Sequence, residues 1–281
     1  MAYKTVTTII CDEGADKPAL NAAIEVARRE HAHLDIICLG IDRTQPGFYY
    51  GGAGAGAIAT QVSFAEAESD AKALEEFATK HLTNQDMTWS VRPIAAQSTG
   101  LSQFLAHQIR FSELLVLPKP YGEGRGHEAE AIVESALFDA RVPVLVVPND
   151  EPLPSLTGNV VVAWNEGREA LSAIRCALPM LIAANKVDIV IIDPPAHGPE
   201  RSDPGGALAQ MLSRHGVHAE VSVLAKTMPR VSDILCRHIA DKNAELLVMG
   251  AYGHSRFRES ILGGATRNML QMAEFPVLMA H

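Results

Sequence analysis

Basic side chains are in deficit in this chain. Its 281 residues carry 24 Lys and Arg against 33 Asp and Glu, a net charge of −9. A protein that holds nucleic acid by neutralising phosphates presents a basic field, so no nucleic-acid partner is expected. Long apolar runs are also missing: the longest, such as Ala177–Ala184, have eight residues or fewer, against the roughly 20 needed to span a bilayer. No membrane span is expected. The opening Met-Ala-Tyr-Lys-Thr-Val-Thr-Thr-Ile-Ile-Cys-Asp-Glu soon meets acids and is unlike a secretory signal. Cysteine is scarce and scattered; Cys11, Cys38, Cys176 and Cys236 form no C-x-x-C pair and read as reduced core thiols of a cytoplasmic protein. The histidines offer only loose pairs, His31/His33 and His215/His218. His33 leads into a strand and His215 closes a helix, so no metal site is expected.

Several catalytic signatures are absent too. There is no Walker lysine motif and no nucleophile elbow G-x-S-x-G. A phosphorelay receiver wants an Asp after its third strand, where this chain has Ala95-Ala96-Gln97 and Ala225-Lys226. Gly54-Ala55-Gly56-Ala57-Ile58-Ala59 fits the dinucleotide pattern G-x-G-x-x-A, yet it follows strand two instead of strand one and reads as a chance match.

What the chain does contain is itself, twice. Glu113-Leu114-Leu115-Val116 followed by Tyr121-Gly122 recurs as Glu245-Leu246-Leu247-Val248 followed by Tyr252-Gly253. Pro143-Val144-Leu145 recurs as Pro276-Val277-Leu278, and Glu13-Gly14 as Glu166-Gly167. Between the copies, Asn149–Ser155 is polar and proline-punctuated, which marks a linker and predicts domains at 1–149 and 157–281. Within each copy, short Val/Ile/Leu runs alternate with helical stretches, as expected when crossover helices bury parallel strands on both faces. Strands are predicted at Val6–Cys11, Leu34–Ile41, Thr88–Ile94, Leu114–Leu117 and Pro143–Val147. The second copy predicts Asn159–Trp164, Val187–Ile192, His218–Leu224, Glu245–Met249 and Pro276–Ala280. Each half therefore reads as a five-stranded, doubly wound, Rossmann-like α/β domain. The first copy is longer after its second strand, where Phe48–Gly56 reads as a mobile or ligand-shaped loop.

The sharpest chemical signal follows the fourth strand of the second copy: Gly250-Ala251-Tyr252-Gly253, nine residues, then Gly263-Gly264-Ala265-Thr266. The first two glycines let the chain turn tightly, and the second cluster opens a helix whose bare N–H groups suit a phosphate. Arg256, Arg258 and Arg267 stand near as countercharges or as solvated side chains.

Here the sequence resembles the universal stress protein family in its tandem form. Nucleotide-binding members carry a glycine, two residues, a glycine, nine residues, a glycine and then Ser or Thr. Gly250, Gly253 and Gly263 match that spacing, whereas the hydroxyl position is Gly264, with Thr266 two places on. The family's Asp at the end of the first strand, which reaches adenine, is Asn165 here. The resemblance implies an adenine nucleotide alpha hydrolase-like fold. It further implies an adenine nucleotide (ATP, ADP or AMP), with Mg²⁺ beside it, held by Ala163, Trp164, Asn165, Asp193, Gly250, Gly253, His254, Ser255, Gly263, Gly264, Ala265 and Thr266. Asp193 also reads as a turn starter and His254 as a solvent-facing loop residue.

In the first half Asp12 keeps the carboxylate, but Pro118 replaces the first glycine and removes an N–H, so nucleotide binding is expected to be lost. Gly122, Gly124 and Gly126 around Arg125 read as a flexible loop or a small anion nest. Family members associate through their last strands, which implies pairing of Pro143–Val147 with Pro276–Ala280, an intrachain pseudo-dimer, and possible homodimers of whole chains. Two other functions stay open: an interaction protein acting through Tyr49–Gly56 or its helical faces, and a slow ATP hydrolase.

Overall fold

The structure, a computed structural model, describes residues 2–43, 53–122, 124–149, 155–194, 202–253 and 264–281. It divides into two compact units, residues 2–142 and 143–281.

In the first unit, four parallel strands run in the order β3-β2-β1-β4. They are β1 (Thr5–Ile10), β2 (His33–Asp42), β3 (Trp89–Gln97) and β4 (Leu114–Pro118). Helices α1 (Lys17–Glu30), α2 (Ala53–Leu82), α3 (Leu101–Ile109) and α4 (His127–Glu134) connect them, and α4 runs on as a π-helical segment, Ser135–Ala140. The recurrence of Ala19, Ala23 and Ala27 at four-residue spacing puts a smooth, fully buried stripe of α1 against the sheet. The segment read as a Gly-rich loop divides. Residues 48–52 lie outside those described, whereas Ala53 onward is helix, so Gly54 and Gly56 sit in the first turn of α2. The alanines that surround these glycines are the best helix formers, and they outweigh two glycines near a helix end.

The second unit orders its strands β5-β10-β9-β6-β7-β8. These are β5 (Val144–Val147), β6 (Asn159–Ala163), β7 (Lys186–Ile192), β8 (Ala219–Leu224), β9 (Ala244–Gly250) and β10 (Val277–Ala280). All pair in parallel except β5, which runs antiparallel to β10 with Val277 opposite Val146 and Met279 opposite Val144. The last strands of the two sequence copies therefore do meet, and β5 belongs by its contacts to the second unit. The helices are α5 (Arg168–Cys176), α6 (Leu178–Ala183), α7 (Gly206–Arg214), α8 (Val231–Lys242) and α9 (Ala265–Met272).

The repeated glutamates explain why the repeat begins where it does. Glu113 Oε2, just before β4, accepts the N–H groups of Lys4 and Thr5 at the start of β1. Glu245 Oε2, in β9, accepts the Gly158 N–H at 3.0 Å and the Ser155 hydroxyl at 2.7 Å, at the start of β6. A charge-assisted bond thus anchors the neighbouring strand's entry in both copies. A second duplicated device joins strands two and three: the Ser90 hydroxyl donates to Asp35, and the Ser222 hydroxyl donates to Asp188 at 2.7 Å. Asp188, 4% exposed, also binds His238 Nε2 at 2.7 Å, with Lys242 Nζ at 3.5 Å. Burial raises the Asp188 pKa, but hydrogen bonds from His238 and Ser222 and the Lys242 charge outweigh it and hold the carboxyl below its ordinary value.

A depressed aspartate stabilises the fold only while ionised. Its contribution is full above the unfolded-state value and is lost as pH falls through and below that range. Asp188→Asn is expected to cost about 1–3 kcal/mol near neutral pH, because it takes a charge-assisted partner from His238 and Ser222. It should also flatten the acid limb of a stability-against-pH curve measured by urea unfolding.

Candidate functional site

In the second unit, β6 lies between β7 and β9, with Ala163 opposite both Val190 and Met249. The chain leaves β6 toward β7 on one side and returns as β9 on the other, so a crevice opens beyond the carboxyl ends of these strands. A cavity of about 420 Å³ occupies it, within the range usual for small-molecule sites. Val190 and Ile192 of β7, Val231 and Leu235 of α8, and Met249 of β9 form an apolar floor. Polar and backbone groups make the rim: Trp164 and Asn165 after β6, Gly250 and Gly253 at the end of β9, and Gly264, Ala265 and Thr266 at the start of α9.

Of the residues singled out from the sequence, Ala163, Trp164, Asn165, Gly250, Gly253, Gly264, Ala265 and Thr266 are gathered around this one cavity. Asp193 stands one residue past Ile192 with a left-handed backbone (φ 51°) and is not part of the lining. His254, Ser255 and Gly263 lie outside the described residues, as do Arg256 and Arg258. The apolar floor was missed. Its signal was available as Asp188, Val190 and Ile192 on one strand face and Val231, Leu235 and His238 on one helix face.

The structure revises how the motif residues act. Gly250 makes no turn; it is the last residue of β9, and a Cβ there would lie 2.5 Å from Ala170 N and 2.7 Å from the Glu169 carbonyl carbon. It is glycine because the first turn of α5 presses its backbone against β9. The left-handed residue of the turn is Tyr252 (φ 55°), not a glycine. Its N–H donates to Thr266 Oγ1 at 2.9 Å, and the Ala251 N–H donates to the Ala280 carbonyl at 2.9 Å. Thr266, 2% exposed, thereby ties the turn to the first turn of α9. In that first turn the Asn268 N–H donates back to the Gly264 carbonyl at 3.1 Å, which closes the start of α9. At Gly253, among the described residues, a Cβ would meet the Glu169 carboxylate alone, at 3.3 Å.

On the β6 side, the Trp164 backbone N–H bonds the Val190 carbonyl at 2.9 Å. Its indole N–H is buried and has no hydrogen-bond partner among the described residues. Asn165 Oδ1 accepts the Gly167 N–H at 3.0 Å. In the first unit Asp12 behaves alike, its Oδ1 accepting from Gly14 at 2.9 Å and Ala15 at 2.7 Å.

The corresponding crevice of the first unit is smaller, about 230 Å³, and is lined by Asp12, Asp16, Pro118, Arg125 and neighbours. Arg125 is no anion nest. Its guanidinium forms an ion pair with Asp16 in which both side chains are nearly fully buried, and it donates to the Ala15 carbonyl at 2.6 Å. Asp16 Oδ2 meanwhile accepts the N–H groups of Cys11 and Asp12. Burial, and then the Asp16 charge, push the Cys11 thiol far above its ordinary value, so it carries no reactive thiolate.

Residues 157–281 match the family model described as the Universal stress protein family. That match covers the second copy of the sequence repeat, less than half of the chain. A universal stress protein of Synechocystis sp. is 30% identical over 98 residues, 35% of this chain and about a third of the length of that relative. A universal stress protein from Archaeoglobus fulgidus DSM 4304 shares the fold at 13% identity, with a TM-score of 0.66 over 98% of this chain and 95% of its own. A functionally unknown protein from Pseudomonas aeruginosa PAO1 does so at 13% identity, with a TM-score of 0.60 over 99% and 92%. Among the described residues of this chain, no helix is long and apolar enough to cross a membrane, and no group of three His, Cys, Asp or Glu side chains is placed to hold a metal ion.

Gly250→Ala is expected to destabilise the second unit by about 1–3 kcal/mol or more through its backbone collision, and Gly253→Ala by less than about 1 kcal/mol, since only a carboxylate tip must move. Thermal melts compare the two. Arg125→Ala leaves Asp16 buried without its countercharge and is expected to cost the first unit about 3–5 kcal/mol in urea unfolding.

Proposed function

We propose that the second unit binds a nucleotide in the crevice between β6 and β9, and that the chain is a tandem, cytoplasmic stress-response protein whose first unit is a structural copy. The observation that carries this reading is the 420 Å³ cavity, with an apolar floor at one side and a glycine-lined helix start at the other. A base is flat and largely apolar on its faces, which suits Val190, Ile192, Leu235 and Met249. A phosphate suits the N–H groups and partial positive charge at the start of α9. The family whose model residues 157–281 match makes an adenine nucleotide the first ligand to try. In the first unit, Arg125 already neutralises Asp16 inside the crevice, which supports a structural role there.

Titration calorimetry of the whole chain with AMP, ADP and ATP tests the reading. Binding at or below millimolar concentration is expected, and Gly253→Val should abolish it, because the added side chain enters the rim while the fold tolerates it. No heat with any of the three nucleotides would instead favour the partner-binding function.

A further inference from the structure

The sheet of the second unit ends on an unguarded strand. β8 stands last in that unit's strand order, and β7 is its one partner among the described residues. At the two ends of the pairing, the Val187 N–H donates to the His218 carbonyl and the Asp193 N–H to the Leu224 carbonyl, each at 2.9 Å. Bonding alternates along a strand, so the even-numbered residues of β8 serve β7, and the main-chain groups of Ala219, Val221 and Val223 point away from it. Among the described residues, these three make no hydrogen bond on that outer side. Their side chains share one face of the strand, where Val223 is 52% and Val221 38% exposed.

The first copy has the same edge and closes it. Its outer strand β3 opens with the corresponding bond, from the Leu34 N–H to the Thr88 carbonyl at 3.0 Å. Five residues past Thr88 stands Pro93, and five past His218 stands Val223. Pro93 has no N–H to offer at an outward position, which blunts strand addition, whereas Val223 has one. The charged residue of β8, Glu220, sits at an even position and forms an ion pair with Lys186 of β7 at 2.7 Å. Proline and charge, which natural edges use as guards, are thus missing from the outward positions of β8.

We propose that β8 is an interface at which two copies of this chain pair antiparallel, extending the second unit's sheet across a two-fold axis at Val221. The alternation fixes the register. Outward groups must meet outward groups, so odd-numbered residues oppose odd-numbered ones, and the longest such overlap sets Val221 against the second copy's Val221 and Val223 against its Ala219. Each of these pairs exchanges both N–H···O bonds, about six in all. The strand is its own complement: the exposed Val223 side chain lies beside a small alanine, and Glu220 falls opposite Ser222 instead of another Glu220. A second copy therefore supplies the match that an arbitrary peptide strand would not. One short strand makes a small contact, so a dissociation constant of roughly 1–100 µM is expected.

Sedimentation equilibrium of the full chain from about 1 to 500 µM tests the pairing, and the parent is expected to dimerise within that range. Val223→Pro copies the guard of the first unit and removes an outward donor while sparing the bonds to β7. Val223→Lys sets a charge against Ala219 and keeps the test open should the proline variant fail to fold. Each should raise the dissociation constant at least about tenfold. Val221→Cys, oxidised where the parent is dimeric, should cross-link, because the Cα atoms of a hydrogen-bonded pair lie about 5.5 Å apart, within disulfide reach. The parent, with its native Cys11, Cys38, Cys176 and Cys236, is the reference. A parent that stays monomeric overturns the proposal, even if the edge then takes up a strand of another protein. A dimer that survives both Val223 variants overturns it as well, as does one whose Val221→Cys form cross-links no more than the parent.

Discussion

The second unit depends on a contact in which no side chain stands between two backbones. The first turn of α5 lies directly on β9 because Gly250 has no Cβ, and the next atoms it would meet, Ala170 N and the Glu169 carbonyl, are main chain and cannot step aside. That contact holds the segment after β6, with Trp164 and Asn165, at a fixed distance from the segment after β9. The hydrogen bond from Tyr252 to Thr266 then sets the start of α9 against the same turn. The crevice is thus bounded by three elements that constrain one another.

The two copies share their scaffold and differ in the crevice. Glu113 and Glu245 bind the entry of the neighbouring strand, the Asp35–Ser90 and Asp188–Ser222 pairs tie strands two and three, and Asp12 and Asn165 close equivalent turns. These contacts do not require a ligand, and they persist in both copies. At the crevice itself, the first copy has Pro118 in place of glycine, and Arg125 and Asp16 form an internal ion pair among the lining residues.

The strand positions were legible because buried parallel strands are nearly continuous apolar runs, and each predicted strand overlaps an observed one with boundaries shifted by a few residues at most. The position of the crevice was legible from the glycine spacing. The reasons for those glycines were not, since Gly250 answers to Ala170, eighty positions earlier, and no local pattern encodes that proximity. Thr266 read as a phosphate ligand because a hydroxyl near a helix start invites that role; that its oxygen also accepts the Tyr252 N–H depends on how the turn folds back, which no local pattern encodes. Arg125 likewise looked like a loop residue until α1 brought Asp16 beneath it. Gly54 and Gly56 misled because glycine is weak evidence beside a run of alanines.

The antiparallel seating of β5 on β10 has a consequence for where this polypeptide can be divided. The proline-rich stretch after Asn149 looks like the natural place to sever it, yet a fragment starting there would leave behind Val144–Val147. The outer side of β10 would then present bare amide and carbonyl groups to solvent, an adhesive border open to any extended peptide. A C-terminal piece that keeps this side of β10 paired begins at Pro143, upstream of the proline-punctuated stretch.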